Sequence, residues 1–355
     1  MPTQPQAAPP RRGTRRGFAP RGAAVLIAAA GFAALFALAL LPGAHGAFEM
    51  DNTGGTAACA VGGNTFVSAA STGLRLRSAA LAEIAAPELS FSSPAASGGE
   101  GGAAVWDSGG GTLCLISPEG DAIEVSAGGR VVSAEVNPGG LTAAAVLPED
   151  GLGLVTVYSA AGAELYRCHL NTAWPLSACV SPDGEKLAIL AASERGGEVR
   201  VFRLDSTEQH AAYTLPGECF FRLGWLSDGE LCAVSEKRAL VLTDGCEILH
   251  ESVFDGAARR AEFGEGFAVI ETSAGALLTL DAGGETGRRN LAGAALSLDA
   301  LGDRVLYLAG GEAVFCTPSL DVLASRPAEG ALSALLRLRG DALLIGRAEA
   351  EVIYV

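Results

Sequence analysis

The chain has 355 residues, 49% hydrophobic and 18% charged, the balance of a globular protein long enough to bury a large core. Its 47 glycines and only 6% aromatic residues favour many short strands and tight turns over long helices. All 40 acidic residues follow Ala47, whereas five arginines precede it; the remainder, with 20 basic residues, carries a net −20, which excludes phosphate-backbone binding.

Residues 1–21 are rich in Pro, Gly and Arg without apolar periodicity, and are expected to form a basic, disordered cytoplasmic tail. From Gly22 to Leu41 no charge interrupts the apolar run. Twenty residues at a rise of ~1.5 Å span a hydrocarbon layer of ~30 Å, so residues 22–42 are expected to be one transmembrane signal-anchor helix. Arg11, Arg12, Arg15, Arg16 and Arg21 before it, and Glu49 and Asp51 after it, put the N-terminus in the cytoplasm and the bulk of the chain outside. Two alternatives stay open. Ala44-His45-Gly46 offers small residues for signal-peptide cleavage near Gly46, and Arg15-Arg16-Gly17-Phe18 resembles a twin-arginine export motif.

Beyond the anchor the pattern is that of strands. Runs of four to seven residues alternate apolar and polar and end in Gly, Pro, Asp, Asn or Ser clusters. Ser133–Gly140 (SAEVNPGG) returns 44 residues later as Ser177–Gly184 (SACVSPDG), each copy followed by three further short apolar runs. A period of about 40 residues built from four short strands is that of a propeller blade. The fold class is therefore all-β: over 47–355, a β-propeller of about eight four-stranded blades, with seven as the alternative. The units run Thr56–Ala86, Pro87–Gly129, Arg130–Asn171, Trp174–Leu215, Gly217–Phe254, Gly256–Leu291, Ala292–Pro327 and Ala328–Val355. Ser92–Gly102 reads as Gly- and Ser-rich filler. Leu74–Ala86, Ala257–Phe263 and Ala331–Leu338 have helical propensity, but their place in the repeat assigns them to strands. The last unit holds only three strands, so Ala47–Asn52 is expected to pair with Glu351–Val355 and close the ring.

With these repeats in hand, the chain resembles the broad class of PQQ-like, YVTN-like and WD40-like propellers. The Ser181-Pro182-Asp183-Gly184 turn is similar to that of TolB-type repeats. An anchor followed by such blades also resembles a family of membrane-anchored bacterial propellers of unestablished function. The resemblance implies the fold but transfers no functional residue. Trp106-Asp107 ends a second strand and does not recur, and Trp106, Trp174 and Trp225 are too few for a quinone-docking repeat.

No G-x-S-x-G or H-E-x-x-H motif occurs, and His45, His169, His210 and His250 are widely scattered. No catalytic residue, metal ligand or cofactor is assigned, and whether the chain is an enzyme stays open, with non-enzymatic binding preferred. The eight cysteines contain no C-x-x-C pair, and most sit in apolar strands as buried thiols, with disulfides as the alternative. The inner strands are expected to be dominated by Ala, Ser, Val and Leu, which weighs against catalysis in the channel. In a propeller, the loops from second to third strand and from blade to blade share one face. Those loops hold Arg130, Trp174, Arg195, Lys237, Arg238, Arg259 and Arg260, the candidate binding residues, interleaved with Asp107, Glu149, Asp150, Glu194 and Glu236. The expected function is a membrane-tethered, extracytoplasmic binding module for a protein or cell-envelope ligand, without nucleic acid. A propeller enzyme (glycan lyase, hydrolase or quinoprotein-like) and a scaffold of a membrane complex are the alternatives.

Overall fold

Why this sequence makes strands is plain in its burial. Second and third strands such as Thr65–Ala70 and Gly153–Tyr158 are buried at every residue, whereas outer strands such as Ala122–Ser126 alternate towards solvent. The structure, a computed structural model, describes residues 47–49 and 57–354 apart from 63, 64, 79, 152, 338–340 and 348. The tail over 1–21 and the span over 22–42 lie outside the described residues. Among the described residues no helix is long and apolar enough to cross a membrane.

The strands form eight antiparallel four-stranded sheets, the eight blades. Their innermost strands are Ala57–Val61, Pro94–Gly99, Arg130–Val136, Trp174–Val180, Phe220–Trp225, Ala258–Gly264, Ser297–Leu301 and Ser333–Leu336. Each touches the innermost strand of the next blade, and the eighth touches the first, so the ring is closed. The three Ala/Leu-rich segments are strands, as their place in the repeat requires. One expectation is corrected: Pro94–Gly99, within the supposed filler, is the innermost strand of blade two. Gly98 explains its composition. A Cβ there would stand 2.2 Å from the Ala60 carbonyl oxygen of blade one, so only glycine permits the approach.

Eight apolar clusters hold the ring, one in each gap between neighbouring blades. Cys179, Leu190, Val199 and Val201 of blade four pack on Phe220, Leu223, Trp225 and Leu231 of blade five. Phe66 and Leu81 of blade one meet Leu343, Ile345, Ala350 and Val352 of blade eight. All eight cysteines are free thiols, six of them buried. Burial pushes the Cys59 thiol up to about 12, with Asp299 adding to the rise, so it packs as a small apolar group.

The ring closes between the two ends of the described chain. Ala47, Phe48 and Glu49 pair with Glu351, Ala350 and Glu349, supplying the outer strand of blade eight. The doubled segment forms two inner-strand hairpins that interlock. Asn137 Nδ2 donates to the Ser181 carbonyl across the blade boundary (2.9 Å), and its Oδ1 accepts from the Leu141 amide (2.8 Å). The Asp183 amide in turn donates to Asp228 of blade five (2.9 Å). These turns join blade to blade on the face opposite the candidate binding residues.

Candidate functional site at the channel and its mouth

A bulge recurs in the innermost strands. In blades three to six the register slips by one residue at Val132, Leu176, Phe221 and Arg259. In blades seven and eight, Leu296 and Leu332 take the same place, their amides bonding the carbonyls of Leu308 and Ile345 just before Ser297 and Ser333 pair there. Aligned on this bulge, the strands read Val132-Ser-Ala-Glu, Leu176-Ser-Ala-Cys, Phe221-Arg-Leu-Gly, Arg259-Arg-Ala-Glu, Leu296-Ser-Leu-Asp and Leu332-Ser-Ala-Leu. A bulge bends the strand and re-aims its side chains, and here it marks the channel mouth on the face of the blade-to-blade loops.

In blades five, six and seven the residue after the bulge latches its blade to the next. Arg222 Nε donates to the Ala261 carbonyl (2.9 Å), and Ser297 Oγ bonds both the amide and the carbonyl of Ala334 (3.2 Å each). The Arg260 guanidinium bonds the Ala295 carbonyl, and the Glu271 carboxylate below it accepts from the Ala295 amide (2.8 Å).

Two residues further on, the chain turns acidic. Glu135, Glu262 and Asp299 stand at equivalent places in blades three, six and seven. Arg222 of blade five reaches Glu262 at 2.7 Å and, across the front of blade four, Glu135 at 3.7 Å. Its guanidinium also lies 5.9 Å from the centre of the Phe263 ring, a cation–π contact. Gly224 makes room for that ring, since a Cβ there would sit 2.5 Å from it. Burial pushes Glu135 and Glu262 above the ordinary carboxylate range, and Arg222 pulls both back. Burial also drives Asp299 up to about 7, against the amides of Leu336 and Ala300 that its two oxygens accept (2.6 and 3.0 Å). The expectation of a channel lined by Ala, Ser, Val and Leu is thereby corrected. Sequence reading missed Arg222, Glu262 and Asp299. The signal was available, because aligning the inner strands of blades three to eight on this position brings the three acids into one column.

A raised carboxyl pKa favours the folded state only while the group is protonated. Asp299 therefore contributes stability below pH ~4 that is lost as pH rises through about 7. Asp299→Asn is expected to flatten the thermal-stability profile between pH 4 and 7; a variant profile as steep as the parent's would remove Asp299 as its cause.

The seven residues singled out from the sequence lie on one face but not in one chemical setting. Arg130 and Trp174 begin inner strands, and Arg259 is a bulge residue, so these three stand at the mouth. Arg195, Lys237 and Arg238 belong to second-to-third-strand turns farther out. Several of the cations are already engaged by acids that sequence reading overlooked. Glu198, 2% exposed, takes bonds from Ser193 (2.6 Å), Arg195 (3.0 Å) and Arg200 (2.6 Å). Burial works against the Glu198 charge, but the bonds from Ser193 and Arg200 hold its pKa below the usual value. Arg238 pairs with Glu218 (2.8 Å) and Glu251 (2.6 Å), and Arg260 with Glu271 (3.3 Å). Arg130 and Arg259 are exposed at the mouth. Between and beside them stand exposed apolar side chains: Trp174 (47%), Phe221 (37%), Leu296 (58%) and Leu332 (50%). Among the described residues no group of three or more His, Cys, Asp or Glu is arranged to hold a metal ion.

The sequence profile of a family of unknown function, DUF5711, matches residues 47–252, more than half of the chain. The chain belongs to that family. No curated protein matches it at the sequence level. Its fold is similar to that of Sqt1 from Saccharomyces cerevisiae, with a TM-score of 0.66 and 12% identity over 87% of this chain and 98% of that one. BamB from Moraxella catarrhalis superimposes with a TM-score of 0.58 and 11% identity, covering 86% and 97% of the two chains. A computationally designed protein, Ika8, gives 0.64 and 13%, covering 84% and 96%. At such identities the likeness establishes the propeller fold alone.

Proposed function

We propose that this family member is a membrane-tethered, extracytoplasmic propeller that binds a protein partner at its channel mouth without catalysing a reaction on it. The observation that carries the reading is the row of exposed Trp174, Phe221, Leu296 and Leu332 side chains on a rigid rim. Large apolar groups held outward by a closed ring favour contact with another molecule, and aromatic anchors are the residues that dominate protein interfaces. The channel acids support binding over catalysis, because each has a partner within the protein: Arg222 for Glu135 and Glu262, and two backbone amides for Asp299. The tether is supported by the uncharged run over 22–42 and by the arginines before it.

The test is photo-crosslinking in cells, with the full chain carrying a crosslinking residue at Trp174 or Leu332. Asp205, exposed on the opposite face, serves as the control position. Discrete protein adducts from both mouth positions, and none from the control, are expected. Adducts that are identical at all three positions, or absent from the mouth, would overturn the reading.

A further inference from the structure

The chemistry of the mouth also selects a kind of partner, and this step rests on the binding function proposed above. We infer that the partner presents an acidic peptide segment bearing large apolar side chains, which lies across the mouth on Arg130, Trp174, Phe221, Arg259, Leu296 and Leu332.

The charge argument comes first. The folded portion has two acidic residues for every basic one, so a surface sampled at random is anionic. The lip is not. In blades three to eight, the six bulge positions and the two residues before each hold two arginines and no carboxylate; one residue earlier in the chain stand Glu218, which Arg238 engages, and the exposed Glu329. Arg130 and Arg259 stand there exposed, while Arg195, Arg238 and Arg260 are each paired with a carboxylate, of Glu198, Glu218 and Glu271 respectively. A cationic lip on an anionic body attracts an anionic segment and repels a second copy approaching lip to lip. The apolar component is as specific. Four large side chains, 37–58% exposed, follow the two arginines in pairs around blades three to eight, so an acidic segment without apolar residues leaves most of the lip unused. Depth sets the pose. Arg222, bonded to Glu135 and Glu262, crosses part of the channel inside the lip and places carboxylates there, so an acidic segment is held at the surface and not drawn inward.

The probes are synthetic peptides of about 12 residues added to the purified full chain in detergent and followed by fluorescence anisotropy. One alternates Asp or Glu with Leu or Phe, a second replaces the acids by Lys, and a third replaces the apolar residues by Ser. Binding of the first at least tenfold tighter than of the other two, weakening at least tenfold in Arg130→Glu/Arg259→Glu and falling with added salt, is the expected result. Equal affinity for the lysine peptide, or affinity untouched by the double charge reversal, overturns the inference. A dimer in sedimentation that dissociates on Trp174→Ala overturns it as well, by making the mouth a self-interface. If the mouth crosslinks to a partner in cells while no acidic peptide binds, the peptide chemistry is wrong and the docking face stands. If the mouth does not crosslink at all, the parent reading has failed.

Discussion

Substituting Ala350 by proline is expected to cost at least about 3 kcal/mol and to lower the melting temperature by roughly 5–10 °C. Ala350 lies in the third strand of blade eight, 1% exposed, between Phe48 of the closing strand and Ile345 of the second strand. Proline removes its amide from one of these two ladders and fixes a backbone angle away from that of a central strand. The damage is not confined to one sheet. Val352 and Ile353 of the same strand pack against blades one and seven respectively, so a displaced strand loosens both neighbouring gaps. Thermal melting of the full chain in detergent, with limited proteolysis in parallel, reads the effect. A variant that melts and resists protease like the parent would mean that the ring does not depend on this closure.

Replacing Arg222 by methionine is expected to destabilise the protein by about 2–3 kcal/mol at pH 7. That value lies between those for exposed and buried ion pairs, because channel solvent reaches about a third of the Arg222 and Glu262 side chains (34% and 35%). The substitution removes the one cation that, among the described residues, is paired with Glu135 and Glu262, and with it the bond to the Ala261 carbonyl. The sign of the pH response is the diagnostic part. Without Arg222 the two carboxyls, already raised by burial, rise further, and folding then favours their protonated forms. The variant should gain stability relative to the parent as pH falls from 7 towards 5. Adding Glu135→Gln and Glu262→Gln should recover most of the loss at pH 7. A deficit that is constant with pH and not rescued by the two amides would assign Arg222 a packing role alone.

These two cases show what the chain states openly and what it conceals. The blades were legible because Asn137-Pro138-Gly139-Gly140 and Ser181-Pro182-Asp183-Gly184 repeat a turn that few residue types can make, and turns punctuate the repeat. Blade eight's missing strand was legible by arithmetic on strands. The inner strand of blade two was not, since the demand on Gly98 is closeness to blade one, and that leaves no apolar signature. The channel acids were hidden for a different reason. Their column holds Glu, Cys, Gly, Glu, Asp and Leu in successive blades, so no periodicity announces it, and the Glu135–Arg222 contact bridges two blades. The candidate cations were found by type and face. Which of them are spoken for depended on Glu198, Glu218 and Glu271, whose pairings come from hairpin register and blade contacts invisible in a one-dimensional reading.

The pairing of Ala47–Glu49 with Glu349–Ala350–Glu351 has a consequence for how the molecule comes into being. Ala47–Glu49 precede all eight inner strands in the chain and Glu349–Glu351 follow them, so translation delivers the two partners with seven blades between them. The outer ladder of blade eight can therefore form only after the other seven blades have been made, and until then the edge that Ala350 will offer to Phe48 has no counterpart.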